Sequence, residues 1–497
     1  MYKEIGRKIT SLTLLSILLA SGITFAIPGA MPVAEAAHNA NLFVSSENSQ
    51  FSNYFAGPQV IEVVINDNDI KTLDDAHGEP DVTVNGKKLR MAQATDGSWY
   101  GYFADRTQAQ LADDIANQGP AGEGTDFGAF CDATSAATAG GPSFTETVGV
   151  AFAKAPASST QGQTTPLGTC TSGPTGGLLN HVVRENKTLN SNVATTVSGQ
   201  IGLNEAGWPV IQLYDFSVGG NVEIKYNRGG GTQTTTLTFD TIPSNLITHT
   251  FDRTTYPRDA EVHVTMSDPQ LNIDPTDEDS WTWNSLGTNN TLFYQLFDEN
   301  GAADADGNAT AGNNLIGNLT NLMFEKNGRL TLNQAAQGST VTELSDNNDQ
   351  VFPSLTIGGS PSQPITFLEL ERRSGIFGNY DEADNANLDI LVNAQRGKSA
   401  TIRYNDVSKS IIVGFGFGTV DITAPDGAWG SGEEIPVTLV DSDANKNSRA
   451  DEDLDLNANS TSLIPALKIG NPFTLKSGDR AILTTGTETT GVGSVPV

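Results

Sequence analysis

Apolar side chains fall at every second position in three well-separated runs, each ending in aspartate: Val60-Ile-Glu-Val-Val-Ile-Asn-Asp67, Glu261-Val-His-Val-Thr-Met-Ser-Asp268 and Glu434-Ile-Pro-Val-Thr-Leu-Val-Asp441. Ile61, Val63 and Ile65 of the first correspond to Val262, Val264 and Met266 of the second and to Ile435, Val437 and Leu439 of the third. A period of two puts each trio on one face of a strand, and that face is predicted to be buried in every copy. The terminal aspartates stand 201 and 173 residues apart, which predicts three related units with the cysteine-bearing stretch in the longer interval. A second echo extends the repeat beyond one strand. Asn221-Val-Glu-Ile-Lys-Tyr-Asn227 resembles Ala400-Thr-Ile-Arg-Tyr-Asn405, and each lies about 40 residues before the next aspartate.

Between these marks the chain reads as short strands and turns, such as Val82-Thr-Val-Asn-Gly86, Thr234-Thr-Thr-Leu-Thr-Phe239 and Ser410-Ile-Ile-Val-Gly-Phe415. One helix is predicted over 107–118, with Leu111 and Ile115 four apart and Gly119-Pro120 as its stop. Residues 119–177, rich in Gly, Ala, Ser, Thr and Pro, read as a long irregular insert. The predicted fold is mainly β, with tandem immunoglobulin-like β-sandwich domains and acidic inter-strand loops. The expected division is 1–36 a signal peptide, 37–118 a first β domain, 119–177 the insert, 178–360 a second sandwich and 361–497 a third, incomplete one.

The N-terminus sets the compartment. Lys3, Arg7 and Lys8 precede an apolar stretch from Ile9 to Ile27 diluted by Ser and Thr, and Ala34 and Ala36 form an A-x-A site after Pro28 and Pro32. That layout predicts export with cleavage after Ala36 rather than a retained transmembrane segment, leaving 461 of the 497 residues. Residues 1–36 carry a net +1, so the formal charge moves from −30 to −31 on cleavage. Nucleic acid is excluded as a natural partner by that charge, and the carboxylates call for screening salt or bound divalent cations. In an exported chain, Cys131 and Cys170 are expected to form a disulfide, whose loop of about 40 residues contributes on the order of 4 kcal/mol.

Charge also concentrates where the strands end. Asp441-Ser-Asp443-Ala-Asn445-Lys-Asn447 continues to Glu452 at the twelfth position, the oxygen spacing of a Ca2+ loop, with Lys446 where an EF-hand needs glycine. Asp441, Asp443, Asn445, Asn447 and Glu452 are therefore candidate ligands in a loop between strands. The second copy offers Asp268, Asn272, Asp274, Asp277 and Asp279, and the first Asp67 and Asp69, in both cases against the alternative of a solvated turn. Sequons at Asn186, Asn289, Asn308, Asn318 and Asn459 are candidate glycosylation sites.

No catalytic residues are assigned. The sequence has no G-x-S-x-G elbow, H-E-x-x-H or P-loop, its five histidines are isolated, and His263 is expected on the solvated side of its strand. Gly414-Phe-Gly-Phe-Gly418 is read as small residues packed in a sheet rather than a nucleotide loop.

Several long stretches carry a family resemblance: the leader up to Ala36, Asn39-Ala-Asn-Leu-Phe-Val44, Asn53-Tyr-Phe-Ala-Gly-Pro-Gln-Val-Ile-Glu62, Asp96-Gly-Ser-Trp-Tyr-Gly-Tyr-Phe-Ala104 and the run from Glu434 to Asn447. Nearly the whole chain resembles the large surface-layer (S-layer) proteins of ammonia-oxidising archaea, as the N-terminal portion of a longer protein. The resemblance implies a secreted glycoprotein at the cell surface that assembles with copies of itself into a porous two-dimensional lattice of immunoglobulin-like domains, held partly by divalent cations. Carboxylate-lined pores would enrich ammonium over a Debye length of roughly 8 Å. The rival expectation is a secreted calcium-dependent adhesin or polysaccharide-binding module, and neither is an enzyme.

Overall fold

The computed structural model describes residues 39–116, 126–153, 182–193, 198–284, 291–294, 313–314, 330–332, 341–344, 355–357, 360–362, 364–381, 383–424, 427–433, 436–452, 481–483 and 493–495. It is mainly β, 39% strand against 9% helix, and its strands form several separate sheets. Residues 1–36, expected to be a signal peptide, fall outside the described residues.

The first unit runs through β1 (Leu42–Val44), β2 (Tyr54–Phe55), β3 (Ile61–Ile65), β4 (Asp81–Val84), β5 (Lys87–Leu89), β6 (Ala92–Gln93), β7 (Trp99–Asp105), β8 (Ala129–Cys131), β9 (Gly149–Phe152), β10 (Val210–Tyr214), β11 (Gly220–Arg228) and β12 (Gly231–Phe239). One sheet has the order β1-β3-β7-β10-β9-β8, with β6 also on β7, and the other β2-β12-β11-β4-β5. Alternation decides what lies between them. Ile61, Val63, Ile65, Trp99 and Phe103 from the first sheet meet Val82, Val84, Val222, Ile224, Leu237 and Phe239 from the second in one apolar core. At roughly 1.5–3 kcal/mol per fully buried large apolar side chain, this face holds the unit together. Phe55 centres the far end, its ring 4.9 Å from that of Phe239 and edge-on to Phe103 at 6.2 Å.

The back of the first sheet is covered as well, so all seven residues of β7 are buried. Part of that cover is the helix Arg106–Ala116, whose Ala109 and Ala112 face inward. The stretch that reads as an irregular insert supplies β8, β9 and the helix Ala133–Gly140. Its strands are three and four residues long, too short for a periodic signal, and they are ordered by pairing, β9 on β10 and β8 on β9. Cys131 is disulfide-bonded, and the chain has one other cysteine, Cys170, which lies outside the described residues.

The second unit comprises β13 (Thr248–Phe251), β14 (Thr255–Tyr256), β15 (Val264–Ser267), β16 (Ser280–Asn284), β17 (Thr291–Tyr294), β18 (Asn313–Asn314), β19 (Leu330–Leu332), β20 (Thr342–Leu344), β21 (Leu355–Ile357), β22 (Ser360–Ser362), β23 (Pro364–Glu369), β24 (Ile376–Gly378), β25 (Leu388–Ile390), β26 (Ser399–Tyr404) and β27 (Val407–Val413). Its large sheet is β13-β15-β24-β23-β16-β17-β18 and its smaller one β14-β27-β26-β19; β20 pairs β25 and β21 pairs β22.

The two units share a wiring plan. β1 lies antiparallel on β3 as β13 does on β15, β2 runs parallel to β12 as β14 does to β27, and the hairpin β11–β12 takes β4 on its side as β26–β27 takes β19. Thus Ser399–Val413 closes the unit that Thr248 opens, and the third copy of the repeated strand belongs to a separate two-stranded ribbon, β28 (Thr419–Ile422) with β29 (Val437–Val440). A further pair, β30 (Ala481–Leu483) and β31 (Gly493–Val495), follows it. Gly414–Gly418 lies between β27 and β28 rather than in a sheet. A Cβ on Gly414 would sit 2.3 Å from Thr255 Cγ2, so close approach fixes that glycine, while Phe417 is 94% exposed.

Candidate functional site

The acidic strand ends are where the fold gathers its chemistry. In the first copy, Asp67 follows β3 and is buried, and its Oδ2 accepts from the Tyr226 hydroxyl at 2.9 Å and lies 3.0 Å from Arg228 Nε. Asp69 Oδ2 takes the other arm of Arg228 at 2.6 Å. In the second copy Asp268, also buried, accepts from the Tyr404 hydroxyl at 2.5 Å and caps the turn Pro269–Leu271 through Gln270 N. Tyr226 and Tyr404 are the tyrosines of the two echoing segments. Each therefore ties the second sheet of its unit to the aspartate that ends the repeated strand in the first sheet. Sequence spacing pairs these segments with the following aspartate, whereas the fold pairs them with the preceding one.

Beyond Asp268 the second loop closes around a cation from the first unit. Arg184 Nε lies 2.8 Å from Asp277 Oδ2, and its Nη1 lies 3.4 Å from both Asp274 Oδ2 and Asp279 Oδ1. Arg184 N donates to Asp274 Oδ2 at 2.7 Å, and Thr276 donates to Asp274 Oδ1 through both its amide and its hydroxyl. Asp279 Oδ2 accepts from the amides of Ile273 and Asp274. Asn272 donates to both oxygens of Glu369, which also accepts from Gly375 N at 2.7 Å. Gly375 has φ +60°, and a Cβ there would lie 2.8 Å from Pro269 Cα, so glycine alone fits.

The exchange is reciprocal. Arg373 of the second unit reaches Glu62 of β3 at 2.5 Å, donates to the Pro275 carbonyl and lies over the Phe43 ring. Glu62 also accepts from Tyr102 at 3.2 Å. Gln59 Nε2 donates to the carbonyls of Pro269 and Asn272, each at 2.7 Å, and Val60 N donates to Ile273 O. Apolar side chains from both units form one continuous cluster here, Val60 and Tyr102 with Leu271, Ile273 and Trp281.

Burial governs the ionisation of this junction. It raises Asp274 to about 7, with Arg184 opposing and Asp279 reinforcing the rise. It carries Glu369 well above the carboxylate range, helped by Asp279, and also raises Glu62 despite Arg373. For Asp277 burial acts upward, but Arg184 and its hydrogen bonds outweigh it and hold the carboxylate below its ordinary range.

The third loop closes on itself and on the second unit. Asp441 Oδ1 accepts from Asp443 N, and both oxygens of Asp443 accept from Gly416 N. Asn445 takes Arg253 on its side-chain oxygen and its carbonyl, each at 2.9 Å. Glu452 Oε1 accepts from the amides of Lys446 and Asn447, and Asn447 Oδ1 from those of Arg449 and Ala450. Glu261 N donates to Lys446 O, and Asn447 Nδ2 donates to Glu261. These donors take up one oxygen each of Asp441 and Glu452, both of Asp443 and the side-chain oxygens of Asn445 and Asn447. An ion seated as in an EF-hand would have to displace Arg253 and the Lys446 and Asn447 amides. Among the described residues no group of three or more His, Cys, Asp or Glu side chains is arranged to hold a metal.

This docking overturns one expectation. His263 is buried rather than solvated, its Nε2 3.0 Å from the Asp384 carbonyl and its ring beside Tyr380, because the turn that holds Tyr380 and Asp384 covers the outer side of its segment. Asn186 is half-buried, whereas Asn289, Asn308, Asn318 and Asn459 lie outside the described residues. Arg184, Arg373, Gln59 and Glu369 were missed from sequence. Scattered single polar residues give no periodic signal, although a lone Arg in a chain poor in cations marks a counter-ion worth tracing. No described helix is long and apolar enough to cross a membrane. The chain matches no family model, and no curated protein matches it in sequence.

Proposed function

We propose that the chain is a structural subunit of an archaeal surface layer, secreted and assembling with its own copies into a porous lattice of tandem immunoglobulin-like sandwiches. The observation that carries this reading is the junction between the first two units. A tile that bears load must not hinge, and here reciprocal arginines, buried carboxylates and one continuous apolar cluster join neighbouring units. The resemblance of the leader, the mature start and the Glu434–Asn447 run supplies the cell-surface setting. Divalent cations act in this reading as counter-ions between exposed carboxylates of neighbouring copies, and the same surface charge favours ammonium over anions.

Electron microscopy of the purified protein with and without millimolar calcium tests the reading. Ordered sheets that dissolve on chelation are expected, and dispersed monomers in both conditions would count against it. A secreted polysaccharide-binding module is the second reading, favoured by the exposed rings of Phe417 and Trp429, on which sugars could stack. Glycan binding lost on Phe417→Ala and Trp429→Ala, without sheets, would favour it.

A further inference from the structure

The second and third acidic loops are built alike, position for position, although only the leading aspartate and the Asn four residues on are identical. Asp268 Oδ1 and Asp441 Oδ1 each accept from the amide two residues on, Gln270 at 3.2 Å and Asp443 at 3.0 Å. Their carbonyls accept from the amide three on, Leu271 and Ala444. The sixth residue after the aspartate, Asp274 or Asn447, accepts on Oδ1 from the amide of the eighth, Thr276 at 2.8 Å or Arg449 at 2.9 Å. The eleventh, Asp279 or Glu452, accepts on a single carboxylate oxygen from the amides of the fifth and the sixth, Ile273 and Asp274 or Lys446 and Asn447.

The carbonyl of the fifth residue meets the preceding unit in both loops. Ile273 O accepts from Val60 N at 3.0 Å and Lys446 O from Glu261 N at 2.9 Å, and these donors each stand seven residues before the aspartate of their own strand. The carbonyl of the shared Asn takes a side chain of the preceding unit, Gln59 Nε2 on Asn272 at 2.7 Å and Arg253 Nη1 on Asn445 at 2.9 Å. The first loop supplies the contrast. Asp67 makes the same turn with the amides of Asp69 and Ile70, but Leu73 and Gly78 stand sixth and eleventh. No unit precedes it among the described residues, and its fifth carbonyl, that of Thr72, is taken by Gln93 of its own unit.

We infer that this loop is one inter-unit latch used twice, with Asp279 and Glu452 as its positioning residues. The C=O of the fifth residue and the N–H of the sixth belong to one planar trans peptide and point in opposite directions. A carboxylate that holds that N–H therefore aims the carbonyl away from itself, at the first residue of the repeated strand in the preceding unit. Repetition of the same bond between the same positions seats each following unit at the same place on its predecessor. The latch acts within one chain, so it stands or falls separately from assembly of copies into sheets.

The test is hydrogen exchange at single amides of the full chain. Asp279 is fully buried against Arg184, so the variants are made at Glu452, which is half-buried. Glu452→Ala should speed exchange of Lys446, Asn447 and Glu261 by roughly tenfold or more. Glu452→Gln, which keeps an acceptor oxygen, should stay within roughly threefold of the parent chain. Asp451→Ala, which removes the exposed charge next to it, should leave all three amides unchanged. The protection should be the same in chelator and in millimolar calcium. Faster exchange at Lys446 and Asn447 with Glu261 unmoved would reduce Glu452 to a local cap and overturn the latch. An equal effect from Asp451→Ala would assign the protection to charge alone, and protection that arises only with calcium would assign it to a bound ion; either result overturns the inference.

Discussion

The first and second acidic strand ends begin from the same motif and reach different electrostatic states. Asp67 and Asp69 share Arg228 at the margin of their unit, where the arginine is 36% and Asp69 73% exposed. Asp274, Asp277 and Asp279 share Arg184 between two units, where the arginine is 13% exposed and Asp274 and Asp279 are fully buried. The motif decides that a strand ends and a turn follows. What packs beyond the turn decides whether the shared arginine stays partly exposed between one buried and one solvated carboxylate, Asp67 and Asp69, or is closed with its carboxylates into a desolvated cage.

Removing the buried cation should have the largest effect. Arg184→Met leaves two fully buried carboxylates uncompensated and is expected to cost about 3–5 kcal/mol in urea unfolding. A loss no greater than that from Arg228→Ala would collapse the comparison. Next come the tyrosine ties. Tyr404→Phe withdraws a donor from buried Asp268 and should cost about 1–3 kcal/mol, with Tyr226→Phe nearer the lower end because Arg228 still meets Asp67.

Acidity offers a subtler separation. Asp274 titrates near 7 in the folded chain, against roughly 3.9 unfolded, so the folded state holds this proton more tightly. Its contribution is full below about pH 4 and is lost as pH rises through about 7; Glu369 and Glu62 act in the same sense and Asp277 in the opposite one. The urea midpoint should therefore fall between pH 5 and 8, and Asp274→Asn should flatten that slope. Arg228→Ala comes last, as a small midpoint shift in low-salt buffer that shrinks further as salt is added.

The β class, the three repeated strands and the helix near 107–118 were legible because each rests on local periodicity. The face expected to be buried in every copy is nevertheless exposed in the third, where Val437 and Leu439 are 62% and 45% exposed on a two-stranded ribbon that no described second sheet covers. The kinship of the Tyr226 and Tyr404 segments was legible too. Their partners were not, since the Tyr226–Asp67 and Tyr404–Asp268 bonds close over 159 and 136 residues, and nothing in local spacing says which aspartate a tyrosine will meet. The candidate ligands illustrate a second limit. Asp274, Asp277 and Asp279 are spaced to gather around a cation and do so, but the cation in the structure is a guanidinium brought from 90 residues away. Composition marks excess negative charge without naming its counter-ion. The strands Ala129–Cys131 and Gly149–Phe152 escaped notice because a neighbour's edge, rather than their own pattern, orders them.

The long tyrosine closures also bear on the order of events in folding. A chain synthesised from its N-terminus makes β1 and β3 first, yet the sheet that covers them is finished only at Phe239. Until then Ile61, Val63 and Ile65 lie on an uncovered ribbon, and contacts of such sequence separation form slowly. The newborn protein thus passes through a stage in which it carries the open ribbon that β28–β29 displays at the other end. Prolonging that stage, for example by arresting synthesis shortly before residue 239, should raise its capture by chaperones relative to arrest after Asp240.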